Sequence, residues 1–530
     1  MSILRIGQIT NSSGAFDSHW TDAAHNYLFW GDTMNKSLSH FALMAIAALA
    51  LALQPACGQQ STPVISRPGG NPADMTEPVQ VFILLGQSNM VGMGKIDGGS
   101  VRWGKEFTEP VLSIYPGAYD PKADYDALKP AKTLALQSFG GTEPTPYPGG
   151  GTQVVRGFIQ PAETGLYGFN PGYGDSEHNI MVVNGVEVHR KEPGKQEVKK
   201  SVKLTAGEKL VFKITYLTTQ ANGLGWMTRM DLPGTLNTVV RQQGKFPYLL
   251  DETGNWAVRQ DVRFVRYMSG KGPLNNEWLG IKHDTIGPEY GIGHLVGNAV
   301  DAPVMILKCC IGNRSLGWDL LPPGSERFVE GDQVYAGYKD RPDIWSLDPA
   351  KGKATEPPST WLDKNGKPID WYAGKQWDSD IGDAKKALAD LASHYPNATK
   401  YEVAGFFFWQ GEKDAGNSVH ANRYEKNLVT FIKSLRKEFN APNAKFVLAT
   451  MGEATKDLKD STGKVLAAHL AVDGASGKYP EFKGNVATVY THDMAQGGSG
   501  NGHYGGNAEV YMDVGEAMGK AMVKLLNSAK

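Results

Sequence analysis

The chain has 530 residues, too many for one compact core, so two or three folded units are expected. Hydrophobic residues make up 41% and charged residues 21%, an ordinary globular balance, and the formal net charge of -1 lacks the basic surplus that a nucleic-acid partner or an anionic membrane would call for. The 63 glycines and 30 prolines point to a fold rich in turns and long loops rather than a helical bundle.

The first 33 residues carry no targeting pattern. Met34-Asn35-Lys36 then opens a short polar stretch that leads into Phe41–Leu53, an unbroken apolar run. That run is shorter than the roughly 20 residues of a transmembrane span and fits the hydrophobic core of a signal peptide. Pro55-Ala56-Cys57-Gly58 follows, allowing cleavage after Ala56 and resembling a bacterial lipoprotein site with a lipid anchor at Cys57. These features predict translation from Met34 and a secreted or periplasmic protein. Residues 1–58 are read as a non-native start, up to Met34, plus the signal peptide, and 59–77, rich in Ser, Pro and Gly, as a linker. Cys309 and Cys310 are adjacent in an apolar run and read as core, since neighbouring cysteines bridge only with strain. No CxxC or HExxH pattern signals zinc, and no cofactor is indicated.

Five apolar runs read as buried parallel strands: Val79–Leu85, Pro303–Ile311, Val403–Trp409, Lys445–Thr450 and Asn485–Thr491. Helical patterns lie among them at Tyr290–Val300, Ile381–Ser393, Asn422–Phe439 and Ala508–Leu526. In the third of these, Leu428, Phe431, Ile432, Leu435 and Phe439 share one face, the rhythm of a helix packed on a sheet. The alternation predicts an α/β fold, a three-layer doubly wound sandwich with a central parallel five-stranded sheet. The interval from Ser88 to Pro303 far exceeds ordinary connections. Within it, Met181–Val188 is a hairpin signal around Asn184-Gly185, and Val202–Leu204 and Leu210–Leu217 are further strands. Residues 108–234 are therefore expected to be an inserted β-sandwich, with 78–107 and 235–530 forming the α/β domain. Carbohydrate is the candidate ligand of the insert.

In an open parallel sheet, ligands bind beyond the carboxyl ends of the strands. Three such ends carry groups suited to acyl transfer. Gly86-Gln87-Ser88-Asn89 places a serine after the first strand, Gly312 offers a backbone N–H after the second, and Gln410 a side-chain N–H after the third. A serine hydroxyl needs an adjacent base, and donors converging on one point form an oxyanion hole. Gly500-Asn501-Gly502-His503-Tyr504 presents a histidine in a Gly-rich loop before the last helix.

The order GQSNM, Gly-Asn-Arg-Ser, WQGE and a late HY resembles the SGNH hydrolases, above all the sialate O-acetylesterase-like branch and carbohydrate esterase family six. The resemblance spans about residues 78–107 and 235–528. It implies a flavodoxin-like sheet and removal of O-acetyl groups from carbohydrate without metal or organic cofactor. Residue by residue, it implies Ser88 as nucleophile, His503 as base, and the N–H groups of Ser88 and Gly312 with the Gln410 side chain as oxyanion donors. Many relatives carry Asp three residues before the histidine, where this chain has Gly500. Glu412, Asp493 or a backbone carbonyl is left to orient His503. The acetylated sugar is expected in a cleft shaped by Leu316–Trp377, which holds Trp318, Trp345, Trp361, Trp371 and Trp377. The competing expectations are an SGNH lipase or thioesterase, marked by a long apolar tunnel, a catalytically inactive carbohydrate-binding protein, and a surface scaffold whose insert binds a protein.

Overall fold

A computed structural model of the chain describes residue 74 and residues 76–528, apart from 103–104, 118–119, 121, 137–150, 172–177, 219–224, 349, 351–355, 396–397 and 497. The apolar run Phe41–Leu53 and Cys57 lie outside the described residues.

The central sheet is built on β1, Val79–Gly86. Its residues alternate between two cores, Val79, Val81, Ile83 and Leu85 entering one and Phe82 and Leu84 the other. A strand covered on both faces must be apolar at every position, and each fully buried side chain of this kind is worth about 1.5–3 kcal/mol. The other strands are β2 (Val258–Met268), β3 (Lys271–Gly280), β4 (Val304–Cys309), β5 (Tyr401–Trp409), β6 (Lys445–Ala449) and β7 (Val486–Val489). They lie in the order β3-β2-β4-β1-β5-β6-β7.

The five expected strands are neighbours and mutually parallel, but the sheet is a mixed one of seven. The β2–β3 hairpin extends it, β2 parallel to β4 and β3 antiparallel to β2. Charge hid this hairpin in the sequence. Arg259 and Asp261 interrupt the apolar pattern of β2, yet both are buried because the guanidinium donates to both carboxylate oxygens. Without the hairpin the chain order is second, first, third, fourth, fifth, the flavodoxin-like order, so the crevice at the strand ends opens beside β1.

Helices cover both faces. On one side lie α3 (Lys375–Ala389), α5 (Ser418–Glu438) and α6 (Ser461–Ala471), contributing Ile381, Phe431 and Val465 to the core. On the other lie α2 (Glu289–Ala299) and α7 (Ala508–Asn527), contributing Ile292 and Met518. Two short helices, α1 (Ser88–Val91) and α4 (Glu412–Ala415), follow β1 and β5. The helix expected to begin at Asn422 begins at Ser418, because Asn417 caps it by accepting from the N–H groups of Val419 and His420. Among the described residues no helix is long and apolar enough to cross a membrane.

Strands from Ser100–Arg102 to Trp226–Arg229 form two antiparallel sheets, one of seven strands and one of four. Their shared core includes Leu112, Val155, Phe212, Ile214 and Met227. The Asn184-Gly185 turn has φ of 47° and 79°, the left-handed pair that a tight hairpin needs.

One buried ion pair ties the sheet to the end of α1. Lys308 on β4 is fully buried, pairs with Glu289 and donates to the Val91 carbonyl at 3.1 Å. Glu289 also accepts from the Gly287 N–H at 3.0 Å. Lys308→Met would leave the Glu289 carboxylate buried without its cation, so urea unfolding should show a loss of about 3–5 kcal/mol. A loss below about 1 kcal/mol, the level of an exposed pair, would contradict this mutual dependence.

Candidate active site

The chain turns sharply as it leaves β1. Gly86 has φ 146°, and a Cβ there would lie 2.2 Å from the Trp409 carbonyl oxygen on β5. Only glycine permits this approach. Gln87 then donates its backbone N–H to the same carbonyl at 3.1 Å, and Ser88 opens α1. As the first residue of a helix, Ser88 has an N–H with no intrahelical acceptor. Gly312, beyond β4, lies against it: a Cβ on Gly312 would be 3.4 Å from the Ser88 Cβ.

Ser88, Gly312, Glu412 and His503 line one open cavity of about 960 Å³. Among the described residues no hydrogen bond joins the Ser88 hydroxyl to His503, and such contacts often tighten only with substrate bound. His503 and Tyr504 have φ of 53° and 51°, left-handed values for non-glycine residues, and Gly505 and Gly506 continue at 64° and 79°. Each of the first two costs about 1–3 kcal/mol unless the surroundings hold it.

Glu412 connects both sides of Ser88. It is buried, and its two oxygens accept from Gln87 Nε2 and Asn89 Nδ2, both at 2.7 Å. These are the residues on either side of Ser88. Burial, and after it the charge of nearby Glu453, push the Glu412 carboxyl up to about 7.

Gln410 sits elsewhere. It is fully buried and does not line the cavity. Its Nε2 donates to Asp414 Oδ2 at 2.6 Å and to the Arg314 carbonyl at 2.9 Å, and its Oε1 accepts from the Tyr424 hydroxyl at 2.6 Å. Both amide hydrogens are spent within the protein. Asp493 is exposed on the turn His492–Met494 and is likewise absent from the cavity wall.

Asp414 was not singled out in the sequence. It is fully buried and accepts from Gln410 Nε2 and from the N–H groups of Leu316 at 2.7 Å and Gly317 at 2.8 Å. The loop that carries Gly312 and Arg314 is thereby fastened to α4, just beyond β5. Its only sequence signal is its place two residues after Glu412. Of the five tryptophans, Trp345 and Trp377 are buried in core clusters, and Trp318 lines the cavity. The Arg314 guanidinium, also in the wall, lies over Trp371 at 4.9 Å.

A family model described as "Carbohydrate esterase, sialic acid-specific acetylesterase" matches residues 364–524. No curated protein matches the chain. A solved protein from Arabidopsis thaliana is similar at 14% identity, covering 51% of this chain and 87% of that one, with a TM-score of 0.30. A carbohydrate acetylesterase from Xanthomonas citri is similar at 11% identity over 70% of each chain, with a TM-score of 0.30. The PA14 domain of an antifreeze protein is similar at 11% identity over 23% of this chain and 81% of that one, with a TM-score of 0.18.

A carboxyl with a folded-state pKa near 7, against an ordinary 4.5, holds its proton more tightly when folded. The stability this gives is complete below about pH 4.5 and is lost as the pH rises towards 7. Glu412→Gln removes the titration, so between about pH 5 and 7.5 its Tm should fall less than that of the wild type. Equal falls would contradict the buried, acid-favouring site.

The resemblance to sialate O-acetylesterase-like carbohydrate esterases read from the motifs is thus met by an independent family match over residues 364–524, and a carbohydrate esterase is the class of enzyme that this family model describes.

Proposed function

We propose that this protein is a serine esterase that removes O-acetyl groups from carbohydrate through an acetyl-serine intermediate, with Ser88 as nucleophile and His503 as base. The observation that carries the reading is the convergence of Ser88, Gly312, Glu412 and His503, from four separate stretches of chain, on one cavity. The Ser88 hydroxyl oxygen attacks the acetyl carbonyl carbon while His503 takes its proton. The resulting oxyanion rests against the N–H groups of Ser88 and Gly312. The carbon–oxygen bond to the sugar breaks, and His503 returns the proton to the departing sugar oxygen. Water, losing a proton to His503, then attacks the acetyl carbonyl carbon, the bond to the Ser88 oxygen breaks, His503 returns the proton to that oxygen, and acetate leaves.

Gln410 is given a different part from the one its position suggests. With both amide hydrogens committed, it holds Arg314 and Asp414 and so keeps the Gly312 loop in place. Glu412 is the favoured acid near His503, since it lines the cavity and Asp493 does not. Arg314, Trp318, Asp343 and His420 line the cavity, a polar wall suited to a glycan and unlike the apolar tunnel an acyl chain would need. Export rests on the Phe41–Leu53 run and the Ala56-Cys57 junction alone.

Acetate release from a panel of acetylated glycans tests the assignment. Ser88→Ala should lower kcat by about 10³-fold or more. No acetate from the wild type, or equal rates from the variant, would refute it.

A further inference from the structure

Gly500 occupies the place where the resemblance expects an aspartate, and the space beside it is already filled. A Cβ on Gly500 would lie 2.6 Å from Glu453 Oε2 and 2.7 Å from Glu412 Oε1. No L side chain fits there unless a carboxylate moves. The two acids come from different strand ends, Glu412 just after β5 and Glu453 just after β6.

The backbone of Gly500 is gripped from both sides. Its N–H donates to Glu453 Oε2 at 2.9 Å. Its carbonyl accepts from Asn89 Nδ2 at 2.9 Å, and the same nitrogen donates to Glu412 Oε1 at 2.7 Å. The Gly500 carbonyl also accepts the His503 N–H at 3.1 Å, so the turn that presents the imidazole closes on this residue. That turn runs directly into the left-handed residues His503 and Tyr504, a conformation that needs outside support. Among the described residues, Glu453 is the one side chain that accepts from the N–H of Gly500.

We propose that Glu453 is a positioning residue for His503, and that with Glu412 it does from neighbouring strand ends what an acid within the histidine loop would otherwise do. This rests on the assignment of His503 as the base. Loss of the Glu453 carboxylate frees the Gly500 N–H and lets the turn relax. A misplacement of about 1 Å at a reacting group can cost about 10²-fold in rate.

The experiment uses the full chain and five variants, with acetate release and hydrogen–deuterium exchange as readouts. Glu453→Ala should lower kcat about 10- to 100-fold with little change in KM, and should speed exchange in residues 498–506 while the strands of the central sheet remain protected. Glu453→Gln, whose amide oxygen can still accept from Gly500, should recover most of that loss. Gly500→Asp alone should be impaired by crowding. Glu453→Ala combined with Gly500→Asp, which opens the space and puts an acid into the loop, should be more active than either single variant. Wild-type kcat in Glu453→Ala, or a double variant no better than the singles, would overturn the proposal. Full activity in His503→Ala would instead overturn the base assignment, and the exchange of residues 498–506 would still report whether Glu453 holds the turn.

Discussion

The candidate site depends on one buried carboxylate. Glu412 leaves the end of β5 and accepts from both Gln87 and Asn89, so the two neighbours of Ser88 are held to the adjoining strand by the same side chain. A buried carboxylate without partners would cost several kcal/mol, which makes these two amides as necessary to Glu412 as it is to them. Asn89 carries the connection further. Its nitrogen also reaches the Gly500 carbonyl, and its oxygen accepts from Tyr511 at 3.0 Å on α7. The flanks of Ser88, the strand end and the histidine loop are therefore one hydrogen-bonded assembly.

The sheet order explains why these pieces meet. β1 lies between β4 and β5, and the loops after all three strands open on the same edge. Gly312 arrives from β4, Ser88 from β1 and Glu412 from β5. Acids hold each of the loops: buried Asp414 the Gly312 loop, buried Glu412 the flanks of Ser88, and half-buried Glu453 the turn before His503. Buried polar networks of this kind fix one geometry when every member is satisfied. The left-handed stretch from His503 to Gly506 is the strained part that such a network has to hold.

Much of this was legible in the residues. The alternating apolar runs located the five parallel strands, and the Asn-Gly signal located a hairpin in the insert, because burial on a known face leaves a regular pattern. The β2–β3 hairpin escaped because its charges pair with one another out of sight, and pairing across space has no one-dimensional trace. Ser88, Gly312 and His503 stand out in the sequence by their places after strands and before the last helix, and all three line the cavity. The hydrogen bonds of Gln410 have no such trace. A strand-end glutamine reads as a free donor until the structure shows Arg314 and Asp414 taking both of its hydrogens. Glu453 was silent for the same reason: it is an ordinary glutamate in a loop, and only the folded chain brings it to Gly500. Gly500 itself was visible as a departure from the expected acid, but the two carboxylates that crowd it were not.

The central claim is that Ser88 is an activated nucleophile dependent on His503. It is tested most directly by exposing the full chain to a serine-reactive fluorophosphonate and mapping the adduct by mass spectrometry. The account predicts a single adduct on Ser88, formed much more slowly in His503→Ala. An unlabelled wild type, an adduct on another serine, or equal labelling in His503→Ala would contradict it.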